Sequence, residues 1–383
     1  MGIYAIALII AGAYGYAVIT SAQVQNAPSC SSSTSLSSTS LPNCLPYETI
    51  SETGSALMYP IFQLWAANFT KAYPSVQINN ANTGSGTGQS FVAKGLVQIG
   101  GSAAYLSDAQ HAIFPLILNI PLAVTADIIE YNLPEVPITT HLHFSAPLLT
   151  QIYNSTVQYW DDQRIKDLNP GIRTLPHQPI WPTYRSDASG DTWLFTQYLS
   201  RGDPWWNSTV GYGLSVNWPS CIPPPTEPCP SSPQSSLGNP GIVISTADRT
   251  YSLSYVSVEA LDQWVTPLKL GYGLLENKAG NYVEATSDTM KASIEALASN
   301  TPADERLSLV DAPGPNSYPI VGYGYALVNR QQLNPEIALV VRTFLKYCLN
   351  PGNSPSYLNV YHFAPLPPAI VQLSLNQIDM IGP

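Results

Sequence analysis

Three short segments, rich in glycine and small hydroxyl residues and each running into an amphipathic stretch, constrain this chain more than any other feature. They are Gly54-Ser55-Ala56-Leu57, Thr83-Gly84-Ser85-Gly86-Thr87-Gly88, and Arg185-Ser186-Asp187-Ala188-Ser189-Gly190-Asp191-Thr192. A segment of this kind ahead of a helix leaves backbone N–H groups unpaired at the positive end of the helix dipole. Glycine lets the backbone approach whatever binds there, because no Cβ intervenes. Several such ends converging on one point can hold a small dehydrated oxyanion without a metal ion. Arg185 adds a permanently charged fork suited to two oxygens of a tetrahedral anion. Taken singly, each segment is also what an ordinary helix N-cap requires. The second is not a Walker loop, since no Lys follows it, and its glycine spacing does not fit a dinucleotide fingerprint.

The rest of the chain alternates short strand and helix patterns. Helical spacing marks residues 60–72 (Ile61, Leu64, Trp65, Phe69), 91–96, 161–168, 193–200, 290–298 and 335–349. Strand patterns mark 76–79, 128–131, 253–258 and 318–328, and an apolar run at 116–124 is broken by Pro121. Residues 218–240, dense in Pro, Ser and Cys, read as loop. The alternation predicts an α/β architecture, and 383 residues suffice for two cores.

The N-terminus predicts a location. Residues 3–19 are apolar and uncharged, and 26–43 form a Ser/Thr-rich tract with too little apolar surface to pack. We read 1–25 as a signal or membrane anchor and 26–46 as a linker, holding a domain at the extracellular face of the membrane. A net charge of −10, with only 10% of residues charged, excludes a nucleic-acid partner. It leaves room for a small anion held in a local pocket.

The five cysteines fit an exported chain. Cys221 and Cys229 bracket a Pro-rich loop and are the disulfide candidates; Cys30 and Cys44 could likewise close the stalk, or Cys30 could be a lipidation site; Cys348, in an apolar run, is expected to be a buried free thiol. Sequons at Asn68, Asn154 and Asn207 are glycosylation candidates. No metal cluster, cofactor fingerprint or nucleophile constellation stands out, so neither catalysis nor a cofactor is expected. His141 and His143 are read as satisfied histidines, Asp161-Asp162 as a helix start, and Arg201-Gly202-Asp203 as a turn.

The order and wording of these segments resemble the phosphate-binding subunit of the ABC phosphate importer. The resemblance runs through residues 54–74, the TGSGTG loop with Val97-Gln98-Ile99-Gly100 and Tyr105-Leu106-Ser107-Asp108, then Tyr159-Trp160-Asp161-Asp162 and Leu168-Asn169-Pro170-Gly171. It continues through residues 185–200, Asn277-Lys278-Ala279-Gly280-Asn281, Tyr318-Pro319-Ile320 and Phe363-Ala364-Pro365-Leu366-Pro367, and spans residues 48–374 in all. It implies a two-lobed binding-protein fold (type II) with the ligand in the cleft between lobes. Lobe I would comprise 47–130 and 319–383 and lobe II 131–318, with the chain crossing near Glu130 and Tyr318. It further implies a monomer that delivers inorganic phosphate to an ABC permease. Carried over by position, Ala56 and Leu57 would offer backbone N–H groups, Ser85 a hydroxyl and its N–H, and Arg185 the charge. Ser189, Gly190 and Asp191 would sit at the third helix N-terminus.

Two departures bear on the ligand. Ala56 stands where the family commonly has Thr. Ala103 stands where the family has an Asp that accepts a hydrogen bond from a protonated phosphate oxygen and so rejects sulfate. Asp191 is the expected substitute acceptor. Sulfate or another oxyanion is therefore the alternative ligand, and a structural or adhesive surface protein that keeps the fold is the alternative role. A phosphatase has no nucleophile or metal to support it.

Overall fold

A computed structural model describes residues 41–219 and 233–383. The apolar N-terminus, Cys30 and the predicted Cys221–Cys229 pair lie outside the described residues. Twelve strands follow in chain order: β1 (Glu48–Gly54), β2 (Val76–Asn82), β3 (Ile99–Ser102), β4 (Ile117–Tyr131), β5 (His143–Phe144), β6 (Trp181–Arg185), β7 (Gln234–Ser236), β8 (Ser252–Ser257), β9 (Gly271–Tyr272), β10 (Leu274–Glu276), β11 (Tyr282–Val283) and β12 (Val321–Asn329). Helices fill most of the connections, confirming the α/β reading.

The large sheet has the order β2-β1-β3-β12-β4-β8-β6-β7, with β9 also on β4; a small sheet orders β11-β10-β5. Strand β4 joins the two halves of the large sheet. Nine of its first ten residues pair antiparallel with β12, and from Asp127 onward it pairs with β8. All 15 residues of β4 are buried, which is why its sequence is nearly continuous in apolar residues rather than alternating: a strand covered on both faces has no solvent side.

The run expected to break at Pro121 does not break. Leu122 is an extra residue opposite the Gly324–Tyr325 step of β12, and this bulge accommodates a residue with no N–H to give the ladder. A second difference concerns the TGSGTG segment. The helix expected at 91–96 instead spans Ser85–Ala93, with Gly84 as N-cap at φ 87°, so the glycine-rich residues are the first turn of the helix rather than a loop before it. Strand β7 and the first turn of the Gly238–Asp248 helix fall in the segment read as loop, 218–240, and the rest of that helix follows it.

The amphipathic Tyr59–Ala72 helix buries Ile61, Phe62, Trp65 and Phe69. Trp65 is wholly buried, and its indole N–H donates to Gly352 O at 3.0 Å, clamping the helix to the C-terminal segment. Truncating a buried aromatic of this kind costs about 3–5 kcal/mol. That clamp fixes the direction of the turn at residues 55–58, where the first anion segment lies.

Candidate functional site

Each of the three segments is placed by a strand that ends beside a helix that begins. At the end of β1, Ser55 N–H donates to Gly101 O at 2.9 Å, and Ser55 Oγ accepts from Met58 N–H at 3.4 Å. This tight turn turns Ala56 and Leu57 away from any ladder. At the end of β2, the Thr83 and Gly84 N–H groups both donate to Gly54 O, at 2.9 and 2.7 Å, which ties the second segment to the first. At the end of β6, Ser189 caps the Gly190–Gly202 helix, its Oγ accepting from Asp191 N–H at 3.1 Å.

The second and third segments touch directly. Gly86 N–H donates to Ala188 O at 2.9 Å, and a Cβ on Gly86 would lie 2.5 Å from the Ala188 methyl. A Cβ on Gly190 would lie 2.5 Å from the Ala103 methyl and 2.7 Å from Ser85 Oγ. Since real Cβ contacts this short essentially never occur, only glycine lets these helix starts meet. Ser85 Oγ accepts from Ala103 N–H at 3.2 Å, so β3 is fastened to the same point. The N–H groups of Ala56, Leu57, Ser85 and Gly190 find no acceptor among the described residues. Ala56, Leu57, Ser85, Arg185, Ser189 and Asp191 are all buried, none more than 6% exposed. Unpaired donors in such surroundings favour an anionic acceptor.

Arg185 does something other than expected. Its Nε and Nη2 form a bidentate pair with the two oxygens of Asp187, at 2.7 and 2.5 Å, and its Nη1 donates to Asp191 Oδ2 and Asn239 Oδ1. Four of its five N–H groups are thus given to protein acceptors. Burial alone would lower the pKa of the guanidinium, but the Asp191 and Asp187 carboxylates outweigh it and push it up. Conversely, burial would raise Asp187, yet Arg185 holds it below the usual carboxylate range. Before it can grip an anion with both arms, Arg185 must release one of these partners.

Behind the third segment lies an acidic cluster that sequence reading missed. Asp127 on β4, Asp191, and Glu259 just past β8 are each at most 1% exposed. Asn239 bridges Glu259 to the arginine, accepting from Arg185 and donating to Ser257 Oγ at 2.8 Å and Glu259 Oε1 at 2.6 Å. Burial, then the nearby Asp191 charge, pushes Glu259 up to about 8. Burial raises Asp191 too, against the pull of Arg185. The signal was present: Asp127 and Glu130 are the carboxylates in a run that is otherwise uncharged and mostly apolar, Leu122-Ala123-Val124-Thr125-Ala126-Asp127-Ile128-Ile129-Glu130.

The remaining residues singled out from sequence serve local structure. His141 Nδ1 lies 2.9 Å from Tyr272 O and His143 Nδ1 lies 3.2 Å from Leu168 O, and His143 stacks on Tyr282. Asp162 caps the Gln163–Leu168 helix and pairs with Arg164. Asp203 caps the Pro204–Thr209 helix, accepting from Trp206 N–H, while Arg201 donates to Val310 O. Cys348 is a buried free thiol, and Cys44 is not free. Of the sequons, Asn207 is exposed, Asn68 is half-buried with its amide donating to Leu64 O, and Asn154 is buried with its oxygen accepting from Thr156 N–H. Among the described residues no group of side chains is arranged to hold a metal ion, and no helix is long and apolar enough to cross a membrane.

Comparison with known proteins adds an independent line. Residues 33–351 match the model of the PBP superfamily domain. The chain is 34% identical over 348 residues to the phosphate-binding protein PstS of Methanocaldococcus jannaschii, covering 87% of this chain and 86% of that one. It is 28% identical to the phosphate-binding protein PstS of Pasteurella multocida, covering 85% and 88%. Among solved structures, a high-affinity periplasmic phosphate-binding protein with bound phosphate (PfluDING) superposes with a TM-score of 0.64 at 17% identity, covering 88% and 99%. A phosphate-binding protein of Stenotrophomonas maltophilia gives a TM-score of 0.58 at 17% identity, covering 86% and 93%. These likenesses agree in fold with the two-lobed architecture expected from sequence.

Proposed function

The chain belongs to the phosphate-binding solute-binding proteins of the PBP superfamily, and from that premise we propose that it captures inorganic phosphate outside the membrane and hands it to an ABC-type permease. One observation supports the ligand reading above the others: N–H groups from three helix starts, at Ala56, Leu57, Ser85 and Gly190, lack acceptors among the described residues. A tetrahedral oxyanion supplies four acceptor oxygens to such a set. Ser85, Ser189, Gly190, Ala56 and Leu57 are the proposed contacts, with Arg185 joining once Asp191 or Asn239 lets go. The role requires binding and release rather than bond making, in keeping with a family of transporter substrate-binding proteins.

We take 131–318 as one lobe and 47–130 with 319–383 as the other, the chain crossing near Glu130 and Tyr318, just past the point where β4 changes partner between Ala126 and Asp127. Residues 1–25 and 26–46 serve as signal or anchor and tether, and the protein acts as a monomer. Trp193 at the third helix start packs edge-on against Tyr105 of the other lobe at 5.2 Å, so its fluorescence reports closure. Titration with phosphate, arsenate and sulfate at acidic and neutral pH is expected to show saturable phosphate binding. No response to any of the three refutes the proposal.

Sulfate is the second reading, favoured by Ala103, whose methyl occupies the place beside Gly190 where an acceptor is expected. Ala103→Asp restores an acceptor that a proton-bearing anion can satisfy and sulfate cannot. It is expected to raise the phosphate-over-sulfate affinity ratio at least about tenfold; an unchanged ratio removes position 103 from the specificity account.

A further inference from the structure

Neither oxygen of Asp127 has a donor among the described residues, and neither does Asp191 Oδ1. The two carboxyl groups face each other within hydrogen-bonding reach. Two carboxylates cannot meet in a buried site as bare anions, because each offers only acceptors and both carry charge; one proton between them resolves both problems. The charge count leads the same way. Among the described residues Arg185 is the one buried cation facing the cluster, against Asp187, Asp191, Asp127 and Glu259. Fully ionised, that set carries three net negative charges, before any anion arrives at the Ser189–Gly190 turn beside it.

The position of Asp127 gives this proton mechanical reach. Asp127 is the first β4 residue paired with β8. Its N–H donates to Ile320 O at 3.0 Å, and its carbonyl accepts from Tyr318 OH at 2.8 Å, both at the second chain crossing. On the other side, Asp191 Oδ2 takes hydrogen bonds from Arg185 and from Ser189 Oγ, the N-cap of the third segment. The Asp127–Asp191 pair therefore links the strand that joins the lobes to the loop that meets the anion.

Resting on the phosphate reading, we propose that Asp127 is a positioning residue for the anion site, holding with Asp191 a shared proton without which phosphate is repelled, so that phosphate binding is coupled to proton uptake. The groups facing this pair are Arg185 and Asp187 from the β6 end, Glu259 from the β8 end, Tyr255 from β8 and Tyr318 from the second crossing. The sign follows from linkage. An anion beside the pair holds the proton more tightly, so the bound state keeps it to higher pH than the free state. Affinity is then full at acidic pH and falls as pH rises through the free-state titration, by up to about tenfold per pH unit for one proton.

The experiment is calorimetric titration of the full chain and of Asp127→Asn with inorganic phosphate between pH 5 and 9, in buffers of differing ionisation enthalpy so that protons taken up are counted. Phosphate changes its own charge over this range, so the readout is the difference between the two proteins at each pH. Asn places a permanent N–H donor where the shared proton sits. The variant is expected to keep its affinity at alkaline pH where the wild type loses it, and to take up fewer protons. Matching profiles and proton numbers overturn the inference while leaving the phosphate reading intact; no phosphate binding by the wild type refutes that reading instead. Should Asp127→Asn not fold, the wild type decides alone: a proton number no larger than phosphate's own titration supplies overturns the inference.

Discussion

Replacing Arg185 with Met tests whether the buried ion network is as tightly interlocked as its geometry implies. The side chain of Arg185 is 1% exposed, and those of its partners Asp187 and Asp191 are 14% and 2% exposed. Met fills much of the arginine's volume but removes four hydrogen bonds and the cation facing the cluster. Breaking a buried pair from one side costs about 3–5 kcal/mol, because the remaining charges lose their partner; that is two to four powers of ten in the folding equilibrium. Asp191 can relieve part of this by taking a proton, since burial already raises its pKa and Arg185 is the largest influence opposing that rise. The variant's folded state would then bind a proton that the unfolded chain loses above about pH 4. Its deficit relative to wild type is smallest at acidic pH and grows as the pH rises, by up to about 1.4 kcal/mol per unit for each carboxyl kept neutral. Urea unfolding of both proteins at pH 5 and pH 8 measures the two deficits. A loss under about 1 kcal/mol, or one equal at both pH values, refutes this account of Arg185.

Two further outcomes follow from the same surroundings. Gly190→Ala drives a methyl onto Ala103 and Ser85, so titration is expected to show phosphate affinity down by about ten- to hundredfold, in line with the 1–3 kcal/mol of overpacking; partial recovery on adding Ala103→Gly locates the clash, and undiminished affinity of Gly190→Ala refutes it. Glu259, pushed up from 4.5 to about 8 mainly by burial, keeps a proton in the folded state that the unfolded chain loses. Its contribution to stability is therefore full below about pH 4.5 and is lost as the pH rises toward 8. Glu259→Gln preserves the Asn239 hydrogen bond to Oε1 and removes the titration, so its denaturation midpoint is expected to change less between pH 5 and pH 8 than that of the wild type.

Local pattern revealed the helix over Pro335–Leu349 to the residue and the amphipathic Tyr59–Ala72 helix within one. Their apolar spacing is a property of neighbours in the chain. Other elements needed partners to become legible. Pro121 reads as a break until β12 supplies a bulge opposite it, and the Gly238–Asp248 helix carries Gly238, Pro240 and Gly241, residues that local propensity assigns to loops.

The three glycine and hydroxyl segments, their order, and the arginine ahead of the third were fixed by sequence, because a helix start needs only a few consecutive residues to announce itself. Tertiary structure decided what those residues do to one another. It gave Arg185 to Asp187, Asp191 and Asn239, packed Ala103 against Gly190, and carried Asp127 and Glu259 to the back of the third segment from strands that flank each other in the sheet. No local pattern reports such meetings, because burial and charge act on whatever groups the fold brings near, however far apart they stand in the chain.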